Sequence, residues 1–332
     1  MNFFRRLKNI IIGNKKGLEF FIGLVNTPII GNIYDFFYWK VILKNIKKHS
    51  LHLTIEPSNV CNLRCIMCPY AGMKRKKEVM SMELFKKIID QAKEMGCKAV
   101  HLQQYNEPFL DKFIFERINY IRKLEIETLL YSNGTLLDKK MMDKILDSQP
   151  TRIRISIDGA KKETFESIRK GANFEKVVEN TKNLFYERNK RNQKLPLIEV
   201  YFTVLEKNKK EANEFLKFWE DKCDFATLYL ADSRESEFFT PVYYKDKKSY
   251  PCLNPKMPII LSNGKVALCC VDVEGNFELG DLKKQKLRDI MNSPKLKNIY
   301  KSQIERNCNL EICKNCSKNY IDSAFKWWIG GG

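Results

Sequence analysis

From Leu51 onward, short segments of period-two hydrophobicity alternate with longer segments of helical spacing, and this repetition limits the possible folds more than any other feature. LHLTIE (51–56), KAVHLQQY (98–105), IETLLYS (126–132), TRIRISID (151–158), LIEVYFTV (197–204) and FATLYLA (225–231) read as strands. Helices are expected at 81–96, 111–124, 138–147, 161–168, 173–192 and 209–221, the first opened by Ser81 as N-cap and stopped by Gly96. Strand–helix units of about 30 residues in series demand right-handed crossovers and a parallel sheet. Six such units are too few to close a barrel of eight. The expected fold is therefore α/β, a partial (β/α)6 TIM-like barrel over 51–232.

In barrels, chemistry gathers at the C-terminal ends of the strands. Polar, turn-prone stretches follow each of the first four strands here. They are NVCNLRCIMCPY (59–70), Asn106-Glu107-Pro108, Ser132-Asn133-Gly134-Thr135 and Ser156-Ile157-Asp158-Gly159.

Two regions flank the repeat. Residues 1–50 are apolar and basic, but Glu19, Pro28 and Asp35 interrupt the apolar run. A spanning helix needs about 20 cleaner apolar residues, so a pair of interfacial helices at a membrane surface or a cap on the main domain is expected instead. Residues 233–332 hold six of the eleven cysteines, two strand candidates around Gly264 and a Lys-rich helix at 285–302. That pattern predicts a smaller domain organised by metal.

Eleven cysteines without a recognisable secretory signal favour a reducing, cytoplasmic setting, with peripheral attachment to a membrane left open by 1–50. In that setting, tightly spaced cysteines are metal ligands or redox groups rather than disulfides. The formal charge of +19 suits anionic partners, or equally the solvated helix faces of a lysine-rich chain.

Cys61, Cys65 and Cys68 fall in a C-x3-C-x2-C spacing after the first strand. A structural zinc site wants four closed ligands, and neither His49 nor His52 is placed to supply the fourth. Iron–sulfur clusters are held by cysteine thiolates, and a cubane with three protein ligands leaves one iron open to a small molecule.

This loop resembles the signature of the radical S-adenosylmethionine (radical SAM) superfamily, and the resemblance covers roughly 51–232. It implies a 4Fe–4S cluster on Cys61, Cys65 and Cys68, whose open iron chelates S-adenosylmethionine and whose electron cleaves it to a 5′-deoxyadenosyl radical. Asn106-Glu107-Pro108 stands where the family has Gly-Glu-Pro, which meets the methionine amino group; Asn106 is a departure. Ser132, Asn133, Ser156 and Asp158 match positions that contact ribose or carboxylate. Arg169 resembles a family arginine that pairs with the methionine carboxylate. Met67 stands at a position that is often aromatic, as an apolar cover for adenine. Asp232 and Glu206 are expected as catalytic acid–base groups only because they follow the last strands.

Cys252, Gly264 and Cys269, followed by Cys313 and Cys316, resemble the SPASM/twitch extension found behind many such barrels. The likeness implies a second, auxiliary 4Fe–4S cluster on those four cysteines, with Cys270 and Cys308 as spares and a zinc ribbon as the rival reading. The implied activity is hydrogen abstraction from an organic substrate, giving oxidation, epimerisation or bond formation on a sugar, lipid, cofactor or peptide. A small molecule, lipid or saccharide is the expected substrate, and a ferredoxin- or flavodoxin-like protein the electron donor. Modification of RNA is an alternative, although no RNA-binding module is visible and nucleic acid is not an expected partner. A non-enzymatic iron–sulfur sensor or scaffold is the other.

Overall fold

The computed structural model describes residues 51–230, 259–305 and 307–314. The expectations for residues 1–50, and for Asp232, Cys252 and Cys316, lie outside the described residues.

Six strands, β1 (His52–Ile55), β2 (Ala99–Leu102), β3 (Glu127–Ser132), β4 (Arg152–Ser156), β5 (Leu197–Val204) and β6 (Phe225–Leu230), form a parallel sheet in chain order. Helices α1 (Met82–Glu94), α2 (Ile114–Lys123), α3 (Lys139–Ser148), α4 (Lys162–Ile168), α5 (Phe174–Lys190) and α6 (Ala212–Trp219) cross between them. β1 and β6 do not pair with each other, so the barrel is partial, as predicted.

Alternation along each strand separates the two faces. Leu53, Ile55, Val100, Leu130, Ile155 and Phe202 are fully buried in one core with Phe85 and Ile89 of α1, Ile118 of α2 and Phe215 of α6. Intervening positions such as His101, Arg154 and Tyr201 carry the polar and aromatic groups of the other face. Ser81 caps α1 by accepting from Leu84 N, and Gly96 follows it with φ +77°, a conformation that favours glycine.

Several elements differ from expectation; the strand expected at 98–105, for example, spans only Ala99–Leu102. The helix predicted from 111 starts at Ile114, because Asp111 accepts from Phe113 N and pairs with the buried Arg117 at 2.7 Å. The helix predicted over 285–302 is two, α7 (Leu287–Met291) and α8 (Pro294–Ile304), with Ser293 and Pro294 opening the second. A four-residue strand at Glu278–Asp281 has no apolar run to announce it.

The strands flanking Gly264 form as predicted, β7 (Ile259–Ile260) and β8 (Lys265–Ala267), and Glu278–Asp281 is β9. They extend the main sheet: β7 lies parallel to β1, and β8 and β9 continue antiparallel, completing nine strands.

Glu56, just beyond β1, fastens this extension. Its carboxylate takes both Nη1 and Nη2 of Arg75 at 2.8 Å and accepts from Ser262 N and Oγ at 3.2 Å. Arg75 Nε in turn donates to Val273 O at 2.7 Å. Removing one member of a buried pair strands the other's charge, at about 3–5 kcal/mol. Glu56→Ala is therefore expected to lower the urea midpoint by an equivalent amount, and an unchanged midpoint would show that the clasp carries no stability.

Candidate functional site

The loop after β1 is held by its backbone. Arg64 N donates to Lys170 O and Ile66 N to Ile168 O, both at 3.0 Å, so the loop runs against the segment that ends α4. Cys68 N closes a turn onto Cys65 O. Tyr70, nearly fully buried, accepts from Cys61 N through its hydroxyl at 2.8 Å, while Arg64 and Lys77 lie over its ring at 4.8 and 3.7 Å.

Cys61, Cys65 and Cys68 open onto one cavity of about 340 Å³ at the C-terminal ends of the strands. Burial pushes the Cys65 thiol up to about 11, against the pull of Arg169, and burial also raises Cys61. Binding metal here must therefore displace protons from thiols. Among the described residues no three Cys, His, Asp or Glu side chains converge on a single ion. Three thiols lining one cavity are the donor type that iron–sulfur clusters take.

Glu107 is fully buried on the same wall. Its Oε1 accepts from Ser132 Oγ at 2.9 Å and from Phe109 N, and its Oε2 from Asn133 N at 2.7 Å. Desolvation outweighs these donors and raises the carboxyl to about 7. Pro108 fixes the turn by opening the short 3₁₀ segment Pro108–Leu110. Asn106 Oδ1 accepts from Gln104 N, but its Nδ2 is buried with no acceptor. Such an orphaned donor costs about 1–3 kcal/mol, and a ligand bearing oxygen would satisfy it.

Arg169 lines the cavity beside Cys65, its Nη1 3.8 Å from that sulfur. Burial works against its charge, but Asp158 more than restores it, and its pKa is raised above the ordinary value. Asp158 itself is off the cavity wall. Its Oδ2 receives Arg169 Nε and Nη2 at 2.7 and 2.6 Å, and its Oδ1 receives Thr203 N at 2.6 Å. It aims the arginine from off the wall rather than lining the cavity itself.

The predicted Met67, Ser132, Asn133 and Ser156 all reach the cavity. Ser132 is spent on Glu107, and Asn133 Nδ2 on Asn62 Oδ1 at 2.8 Å, which ties the cysteine loop to the end of β3. Glu206 is not among the cavity residues; it is exposed and paired with Lys209, because it follows β5 on a turn that faces outward.

Of the second cysteine set, Cys269 is buried in the main core and Cys313 accepts from Gln303 Nε2 at 3.2 Å. Cys270, expected as a spare, lines the first cavity, and its carbonyl accepts from Gln104 Nε2 at 3.1 Å and Tyr105 Oη at 2.5 Å. Tyr70, Gln103, Tyr105, Tyr131, Tyr201, Thr203 and Tyr229 also line the cavity and were missed by motif reading. Apart from Tyr70, which ends the cysteine loop, their period-two placement on predicted strands is the only available signal, and it does not say which face is concave.

Residues 55–205 match the model of the radical SAM superfamily, and residues 252–317 match the SPASM iron–sulfur cluster-binding domain. The chain is a radical SAM protein with a C-terminal SPASM extension. A radical SAM domain implies a 4Fe–4S cluster and S-adenosylmethionine, and SPASM implies an auxiliary iron–sulfur cluster. A probable GTP 3′,8-cyclase of Methanococcus maripaludis is 31% identical over 39% of this chain and 42% of its own length. The mycofactocin maturase MftC of Mycolicibacterium smegmatis is 27% identical over 40% of this chain and 33% of its own. The chain thus matches less than half the length of either relative.

Among solved structures, BtrN in complex with AdoMet and 2-DOIA superposes with a TM-score of 0.58 at 16% identity, covering 81% of this chain and 93% of that one. AdoMet-bound anSMEcpe gives 0.58 at 18% identity, covering 81% and 84%. These likenesses establish the fold. No helix of the described residues is long and apolar enough to cross a membrane.

A carboxyl raised from 4.5 to about 7 in the folded state adds stability while protonated, fully below pH about 4.5, and loses it as pH rises through 7. In metal-free protein the loss is on the order of 3 kcal/mol between those limits. Thermal unfolding across that window should show the decline in wild type and a flatter profile in Glu107→Gln; matching profiles would remove Glu107 as its source.

Proposed function

We propose that this chain is a radical SAM enzyme that abstracts hydrogen from an organic substrate, with the SPASM-region cluster as support or electron relay. The observation that carries this reading is the convergence of three thiols, a buried carboxyl and a buried guanidinium on one cavity at the strand ends. When bound, the cluster and S-adenosylmethionine supply a 5′-deoxyadenosyl radical by one-electron cleavage of the sulfonium.

The chain's own residues hold and orient. Cys61, Cys65 and Cys68 ligate the primary cluster. Glu107 accepts from the methionine ammonium, whose positive charge stabilises the carboxylate that burial disfavours. Arg169, aimed by Asp158, faces the methionine carboxylate. Ser156 and Asn106 serve as further polar contacts, and Met67 as an apolar cover. Cys252, Cys269, Cys313 and Cys316 remain the proposed auxiliary set.

The substrate is proposed to be a small molecule, saccharide or lipid, and the electron source a low-potential ferredoxin- or flavodoxin-like protein. BtrN is described with 2-DOIA and SuiB of Streptococcus suis with the precursor peptide SuiA, so this architecture admits both small and peptidic ligands.

Anaerobically reconstituted protein, given S-adenosylmethionine and dithionite, is expected to release 5′-deoxyadenosine. Cys65→Ala should lower that release by more than about 100-fold, since even residues behind metal ligands cost 10–100-fold, and should bleach the cluster's visible absorption. Wild-type protein that carries the cluster yet forms no 5′-deoxyadenosine would reject the enzyme in favour of a sensor.

A further inference from the structure

Below the level of Ser156 the concave face of the barrel contains charged groups that the cofactor chemistry leaves unused. Tyr131, Arg154 and Glu199 occupy one row across β3, β4 and β5. Glu199 is almost fully buried, and its Oε2 serves two guanidiniums, Arg154 Nε at 2.7 Å and Arg152 Nη1 at 3.0 Å. Thr227 Oγ1 occupies the other oxygen at 2.6 Å. His101, stacked on Tyr131, is kept neutral by burial, which lowers it to about 3. Two cations therefore share one carboxylate in a place where each Arg side chain is only 14% exposed. A surplus buried charge is costly unless an opposite charge meets it.

Arg154 is the cation nearer the cavity. Its Nε goes to Glu199 and its Nη1 to the Tyr131 hydroxyl oxygen. Among the described residues Nη2 has no hydrogen-bond acceptor, and it is not one of the fully buried polar atoms. The Tyr131 and Tyr201 rings flank the guanidinium at 5.0 and 5.5 Å, and both line the cavity. Because the Tyr131 oxygen already accepts from Arg154, its own proton is available to another acceptor. Two donors thus point to one vacancy in charge. Arg169 is not the cation left for a substrate, because it is already assigned to the methionine carboxylate.

We propose that Arg154, with Tyr131, binds an oxyanion of the substrate, a carboxylate or a phosphate, where Tyr131 and Tyr201 line the cavity. This rests on the reading that substrate meets the radical in this cavity. The test requires no turnover, so it can fail while cleavage of S-adenosylmethionine succeeds, and the reverse.

Reconstituted protein with S-adenosylmethionine bound would be titrated with inorganic phosphate and, separately, acetate, at constant ionic strength set with chloride. The readouts are the unfolding temperature and, for phosphate, ³¹P relaxation by the reduced paramagnetic cluster. At least one anion should stabilise the wild type, and the stronger of the two identifies the substrate's acidic group. Arg154→Gln should weaken that anion by about tenfold or more, as expected for loss of a charge-assisted contact, with Arg154→Lys intermediate. Glu199→Gln, which removes the competing carboxylate, should tighten it and gives an independent reading if Arg154→Gln does not assemble. Anion binding that is absent in wild type, or unchanged in Arg154→Gln and Glu199→Gln alike, would overturn the proposal. So would a loss of S-adenosylmethionine affinity in place of anion affinity.

Discussion

A parallel sheet left open has an unpaired edge, and in this chain the edge of β1 is where the two cysteine-bearing regions are joined. β7 adds to that edge, and Glu56 immediately beyond β1 draws Arg75 from the cysteine-loop side and Ser262 from the β7–β8 turn onto a single carboxylate. Had the barrel closed, β1 would have paired with a seventh or eighth strand and no such junction could form.

Charge is divided between the cavity wall and the row beside it. On the wall, Arg169 is matched by Asp158 behind it, and burial raises the Glu107 carboxyl. Around the row of Tyr131, Arg152 and Arg154 outnumber Glu199 among the described residues. The overall excess of lysine and arginine says nothing of this division, because a sum over the chain carries no position.

Much of the architecture was legible in the sequence because helical and strand periods are strong over long segments. LIEVYFTV forms its full eight-residue strand at Leu197–Val204, and Ser81 caps the helix it was expected to cap. β9 was invisible because four residues containing two carboxylates and a glycine carry no period. Spacing located the cysteine triplet and Glu107, whose chemistry depends on residue type and order. It did not locate the tyrosines, and it misjudged Glu206, because the end of a strand can be read from a pattern while the direction of a side chain in the following turn cannot. Asp158 illustrates the same limit: its order in the sequence does not reveal that its carboxylate meets Arg169 and Thr203 N.

The cysteine loop and the end of α4 share two backbone hydrogen bonds, Arg64 to Lys170 and Ile66 to Ile168, and Arg169 sits between those acceptors. Gly171 completes the contact with φ +95°, where an added Cβ would come within 3.3 Å of Leu63. Residues a hundred positions apart therefore form one mechanical part. A shift of the Arg169 backbone drags the cysteine loop along with it, so the placing of the guanidinium and of the thiols cannot be tuned separately, and sequence change in either segment must be matched in the other.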